Sequence, residues 1–182
     1  MKVAFIGTHG TGKTTLCYDL AAALKRQGID ADVVKEVARL SPLPINRKTS
    51  LDAQTWILMN QIAEEIRASA QHDVVVCDRS ALDNYAYLLF ACGRQRPVER
   101  FVDYWMKSYD LLFKVPVVGA ASPDGVRDTD DFFVRSIDQL VDQLLTEKRL
   151  AYHRLDPAGR NAWIHDALGA VSSHPALAGR LI

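Results

Sequence analysis

The chain has 182 residues, 48% of them hydrophobic and 24% charged, with 22 basic and 22 acidic side chains and a formal net charge of zero. That length suits one domain with a substantial core and is too short for two comfortable ones. A neutral chain carries no whole-molecule field that draws in nucleic acid or an anionic membrane, so neither partner is favoured.

Lys2–Ile6 predicts the first strand. Too few apolar residues surround it for a signal peptide or a membrane span, and a cytoplasmic location is expected. Gly7-Thr8-His9-Gly10-Thr11-Gly12-Lys13-Thr14 follows, a complete G-x-x-x-x-G-K-[ST] loop. Behind it Leu16, Leu20, Ala23 and Leu24 recur at helical spacing up to Gln27, where Gly28 is a natural stop. A second strand at Ala31–Lys35 leads into Glu36-Val37-Ala38-Arg39, and the prolines of Ser41–Asn46 exclude a helix there. Thr49 and Asp52 have capping-box spacing and open a helix to about Ala70, with Leu51, Thr55, Leu58, Ile62 and Ile66 as its buried stripe.

The third strand, Asp73–Cys77, is almost continuously apolar, as expected of a strand covered on both faces, and it runs into Asp78-Arg79-Ser80. Helices are expected at Ala81–Ala91 and Pro97–Ser108, and a fourth strand at Leu111–Val115. Residues 116–131 lack periodicity and read as a mobile lid, followed by a helix at Phe132–Lys148. A fifth strand is expected at Leu150–Leu155, and an amphipathic stretch, Trp163–Val171, in the tail 158–182. Strands recurring after helices argue for parallel βα units. Cys17, Cys77 and Cys92 lack metal-ligand spacing and read as reduced thiols, Cys77 as a small core residue. Arg94, Arg96 and Arg100 read as a solvated patch, and Trp56, Tyr85, Trp105 and Tyr109 as packing residues.

The loop predicts a nucleoside triphosphate site. Backbone N–H groups over Gly7, Thr8, His9, Gly10, Thr11, Gly12, Lys13, Thr14 and Thr15 face phosphate oxygens, and the next helix adds its positive end. Lys13 reaches the β- and γ-phosphates and the Thr14 hydroxyl ligates Mg²⁺. Thr15 either touches the α-phosphate or caps the helix, while His9 reads first as a solvent-facing or packing residue. In an open parallel sheet, ligands lie beyond the carboxyl ends of the strands, where Glu36 and Asp78 fall. Asp78 resembles a Walker B carboxylate holding the metal directly or through water; capping of the next helix is the plainer reading, and both can hold. Arg79 beside it suits an anionic group better than it suits water activation.

Three features together carry a family resemblance: the loop with Thr15, Glu36-x-x-Arg39 after strand two, and Asp78-Arg79-Ser80 followed by Asp83 and Tyr87. They resemble the small P-loop kinases related to the ribosylnicotinamide kinase domain of bacterial NAD regulators, often grouped with AAA-type ATP-binding domains. Asp78-Arg79-Ser80 is also similar to the corresponding motif of deoxynucleoside and thymidylate kinases. The resemblance runs from Met1 to about Leu155.

What the resemblance implies is a three-layer α/β P-loop NTPase fold, with a five-stranded parallel sheet in the kinase order 2-3-1-4-5. It implies ATP and Mg²⁺ as cofactors and phosphoryl transfer to a small hydroxyl acceptor such as a nucleoside or ribosylnicotinamide. Glu36 is similar to the base that takes the acceptor's proton, with Arg39 on substrate or phosphoryl oxygen, although a surface Glu–Arg pair is the plainer reading. Arg127, next to Gly125, and Arg135 are the candidate lid cations. No Asn-Lys-x-Asp guanine-selecting element occurs, which disfavours a GTPase. Two alternatives stand: a kinase of 5′-hydroxyl polynucleotide ends, and an ATP-hydrolysing switch acting on a protein partner.

Overall fold

Five parallel strands form one sheet in the order β2-β3-β1-β4-β5: β1 (Lys2–Ile6), β2 (Ala31–Val34), β3 (Val74–Asp78), β4 (Leu111–Lys114) and β5 (His153–Arg154). The structure is a computed structural model and describes residues 1–45, 49–118 and 131–177. Helices α1 (Lys13–Arg26), α2 (Leu51–Ser69), α3 (Ala81–Cys92), α4 (Arg96–Trp105), α5 (Asp131–Glu147) and α6 (Trp163–Ser172) cover both faces. The expected sheet and its order are both present. None of the described helices is long and apolar enough to cross a membrane.

Alternation along the central strands divides the core in two. Val3 and Phe5 of β1 join Val74 and Val76 of β3 under Leu16, Leu20 and Leu24 of α1 and Trp163, Ala167 and Val171 of α6. Ala4, Ile6, Val75 and Cys77 face the other way, against Leu58 and Ile62 of α2, Leu82 and Tyr85 of α3, and Ile137 and Val141 of α5. Successive side chains of a strand point to opposite faces, so a strand buried on both must be apolar throughout. β1 and β3 meet that demand at every position except Lys2 and the terminal Asp78.

Several boundaries differ from the expectations. The cap of α2 is Ser50, whose side chain accepts from the Ala53 amide, while Thr49 Oγ1 accepts from Gln54. The buried stripe of α2 is correspondingly rotated: Ala53, Ile57, Leu58, Gln61, Ile62, Glu65 and Ala68 are inside, whereas Leu51 and Ile66 are exposed. Three polar positions also go inward: Gln54, which donates to Thr49, and Gln61 with Glu65, whose carboxylate draws its partners in. One of its oxygens accepts from Gln61 Nε2 and Tyr109 Oη, the other from Lys2 Nζ and Trp105 Nε1, which satisfies a carboxylate fully removed from water. β5 is two residues long rather than six.

The register places Phe5 of β1 opposite Asp78 of β3. The loop leaving β1 and the polar end of β3 therefore emerge side by side at the carboxyl edge of the sheet. β2, on the far side of β3, delivers Glu36 to the same edge.

Candidate functional site: a phosphate loop beside an acceptor cleft

The loop is built around residues whose backbone only glycine adopts readily. Gly7 has φ +132°, and a Cβ there would meet the Val115 carbonyl oxygen at 2.8 Å. Gly12, at φ 90°, caps α1 without any side-chain hydrogen bond, so the first amides of the helix face the loop's interior. Such a left-handed turn into a helix forms an anion-binding nest. Gly10 and Thr11 complete the turn, and Thr15 is exposed at the start of α1. Lys13 folds back over the loop, its Nζ donating to the Thr8 carbonyl and, at 3.3 Å, to Thr11 Oγ1. Burial, reinforced by the neighbouring Arg79 cation, lowers its pKa to about 8. A polyanion bound in the loop would restore that charge. Thr8 Oγ1 is buried and makes no hydrogen bond among the described residues.

Thr14, on the first turn of α1, donates its hydroxyl to Asp78 Oδ2 at 2.5 Å. Both groups are hard oxygen donors lying next to the loop, the set that suits Mg²⁺ shared with nucleotide phosphates. Magnesium keeps waters and phosphate oxygens as most of its ligands, so two protein oxygens are enough. The residues present therefore fit the ion. Asp78 does not cap α3; Ser80 does, through a reciprocal capping box with Asp83.

Arg79 has φ 90°, a left-handed conformation that costs a non-glycine residue of order 1–3 kcal/mol. What holds it there is a set of side-chain contacts. Its Nε and Nη2 donate to Glu36 Oε1 at 2.9 and 2.7 Å, and its guanidinium lies over the Tyr87 ring at 4.8 Å. Glu36 Oε2 accepts from Arg39 Nε at 3.2 Å. Arg39 is exposed, but Glu36 and Arg79 are buried, so Glu36 is not merely half of the surface pair that Glu36-x-x-Arg39 alone suggests. Arg79 keeps its charge because carboxylate and tyrosine neighbours outweigh desolvation, holding its pKa above the ordinary arginine value.

These groups line one cleft with His9, Gln54, Ile57 and Asn84. Arg79 Nη1 and Asn84 Nδ2 are buried donors with no hydrogen-bond partner among the described residues. Each such donor costs roughly 1–3 kcal/mol if left unmet, so the cleft is suited to a ligand bearing oxygen or nitrogen acceptors.

Some contacts that build the site are not legible in the sequence, even where it names the residues. Asp83 accepts from the Gly7 amide at 2.6 Å, while its other oxygen accepts from Ser80. Its capping-box spacing with Ser80 was the only local signal. Tyr87 bonds His9, which is 3% exposed rather than solvent-facing. A second cleft on the α1 side is lined by Gly12, Thr15, Asp19, Arg160, Asn161 and Trp163. Arg160 stands over the Trp163 ring at 5.9 Å, and its Nη2 comes within 3.2 Å of where a Gly12 Cβ would be. Trp163 is itself buried in the core, so what this cleft brings to the loop is the Arg160 cation, placed to meet a nucleotide's phosphates. Arg127 lies outside the described residues. Arg135 is exposed, with Nε donating to Asp131 at 2.7 Å, and is not among the residues lining either cleft.

Parallel sheet order, loop and Asp78 together define a P-loop nucleoside triphosphate fold. The chain belongs to the AAA domain family, whose pattern it matches over residues 2–161. No curated protein matches it in sequence. Among solved structures, a NadR protein in complex with NR superposes with a TM-score of 0.75 at 21% identity, covering 94% of this chain and 50% of that one. The chain thus spans about half the length of that protein. Deoxyadenosine kinase from M. mycoides with bound dATP superposes with a TM-score of 0.69 at 15% identity, covering 95% of this chain and 100% of that one. At these identities the likeness is one of fold.

Proposed function

We propose that this chain transfers the γ-phosphoryl group of ATP, with Mg²⁺, to a hydroxyl of a small neutral acceptor of the nucleoside or ribosylnicotinamide class. The observation that carries the reading is the juxtaposition, in one cleft beside the loop, of the buried Glu36 carboxylate with two partnerless donors, Arg79 Nη1 and Asn84 Nδ2. A water-activating site needs no such recognition surface. The likeness in fold to a deoxyadenosine kinase and to a NadR protein that binds NR supports the same reading.

In this reading the amides of residues 7 to 15 bind the triphosphate, and Lys13 turns from the Thr8 carbonyl to its β- and γ-oxygens. Thr14 and Asp78 would hold Mg²⁺, which neutralises charge across those oxygens when bound. Glu36 orients the acceptor hydroxyl and takes its proton as the bond to phosphorus forms. Arg79, fixed by Glu36 and Tyr87, stabilises charge on the equatorial oxygens, and Arg39 does so from the half-exposed cleft edge. Arg127 belongs to the proposed lid over 116–131. Arg135 joins only if its pair with Asp131 opens. A single domain over 1–182 and a cytoplasmic location belong to the same proposal.

A coupled ADP-release assay with ATP and Mg²⁺ across nucleosides, ribosylnicotinamide and 5′-hydroxyl oligonucleotides tests it. Turnover stimulated by a small acceptor is expected. Stimulation by oligonucleotides alone, weakening steeply with salt, favours the polynucleotide alternative. Flat hydrolysis favours the switch.

A further inference from the structure

Helix α3 holds the phosphate loop at two points. Asp83 Oδ1 accepts the Gly7 amide at 2.6 Å. One turn later Tyr87 Oη accepts the His9 amide at 3.2 Å and bonds His9 Nδ1 at 2.9 Å. Residues four apart share one face of a helix, so Asp83 and Tyr87 grip alternate residues of the loop in register. The same helix serves the acceptor cleft: Asn84 lines it, and the Tyr87 ring carries the Arg79 guanidinium that binds Glu36. Phe133, near the start of α5, packs on both His9 and Tyr87, with ring centroids at 5.7 and 6.1 Å.

We propose that Tyr87 and His9 form a positioning pair that couples the acceptor cleft to the phosphate loop, so that a seated acceptor sets the loop for transfer. This deepens the phosphotransferase reading and rests on it. An acceptor that engages Arg79 Nη1 tightens the guanidinium on the Tyr87 ring. Through Oη, that fixes both the backbone and the ring of His9, and hence the wall of the loop facing the cleft. The pair adds no group to the reacting atoms; it restricts where the transferred phosphoryl and the acceptor hydroxyl meet, and misplacement of about 1 Å costs on the order of 100-fold in such reactions. Coupling of this kind is reciprocal, so acceptor and nucleotide each raise the other's affinity by the same factor.

The test uses the full chain and the acceptor with highest turnover in the wild type. Tyr87→Phe keeps the ring under Arg79 and against Phe133 but removes both bonds to His9. It is expected to change the KM for ATP less than about 3-fold, to lower acceptor-dependent kcat about 10-fold, and to raise the fraction of ATP lost to water. The affinity gain that acceptor confers on a fluorescent ADP analogue is expected to disappear. His9→Ala, on the loop and with its backbone donor intact, is expected to lose part of the same coupling. The double variant is expected to be no worse than Tyr87→Phe. Wild-type coupling and partition in a folded Tyr87→Phe overturn the inference, as does additivity of the two substitutions. If Tyr87→Phe does not fold, unchanged coupling in His9→Ala overturns it. A wild type that turns over no acceptor removes the phosphotransferase reading itself, and the inference with it.

Discussion

Thr14 and Asp78 meet at 2.5 Å, hydroxyl to carboxylate, although 64 residues separate them. Their contact joins the first turn of α1 to the end of β3, at the point where the adjacent strands β1 and β3 stop. Asp78→Asn keeps the size and one acceptor oxygen but removes the charge. The expected outcome is a fall in kcat of about 100-fold and a higher Mg²⁺ concentration for half-maximal rate, with nucleotide binding in the absence of metal little changed. A magnesium titration of steady-state rate checks this.

Lys13 carries a stability penalty that its function requires. Its pKa falls from the ordinary 10.5 to about 8 on folding, chiefly through burial. Below pH 8 the folded protein holds a desolvated charge that the unfolded chain holds in water. Between about 8 and 10.5 the unfolded chain binds the extra proton, so this penalty is relieved and stability rises with pH. Lys13→Met is therefore expected to abolish turnover while raising the stability of the nucleotide-free protein at pH 7 by about 1–3 kcal/mol. Denaturant unfolding of both proteins measures the difference.

The same lysine sets a pH dependence of binding. A protonated Lys13 favours a polyphosphate, so ATP affinity is expected to weaken as pH rises through about 8. In Lys13→Met that decline should vanish. Titration calorimetry at several pH values reads it directly.

Gly7→Ala places a methyl group 2.8 Å from the Val115 carbonyl oxygen on a backbone at φ +132°. The site cannot absorb it without shifting the loop or the end of β4, at a cost of about 2–4 kcal/mol. Loss of ATP binding together with a lowered thermal midpoint is expected. An unchanged midpoint would mean the loop is looser than its contacts imply.

Legibility from sequence followed the range of each interaction. The loop could be read because its function is local: glycine conformation, a following helix and a lysine all lie within eight residues. β1 and β3 were legible because burial on both faces demands unbroken apolar runs. By contrast, the stripe of α2 was misplaced because its inward face includes Gln61 and Glu65, which no hydrophobic pattern reveals. Glu65 is inside only because Lys2, Trp105 and Tyr109 arrive from elsewhere to satisfy it. Asp83 enters the sequence reading only as part of the resemblance, and nothing local shows its bond to Gly7, 76 residues away; Arg160 reaches the loop from beyond β5. His9 reads equally as solvent-facing or packing, and the structure selects packing, because Tyr87 and Phe133, which nothing near it in sequence announces, close over it. Arg135 reads as a candidate lid cation, yet Asp131, four residues earlier, accepts it.

Glu36→Gln separates recognition from chemistry. A buried Arg79 would lose the charge of its main partner, so a destabilisation of about 2–4 kcal/mol is expected, with ATP binding retained. The most direct test of the central claim follows the γ-phosphorus of ATP by NMR in the presence of the acceptor panel, wild type against this variant. A phosphate monoester of a small acceptor is expected from the wild type, and from Glu36→Gln no monoester and at most a trace of inorganic phosphate. Inorganic phosphate alone from the wild type, unaffected by any acceptor and undiminished in Glu36→Gln, would contradict that claim.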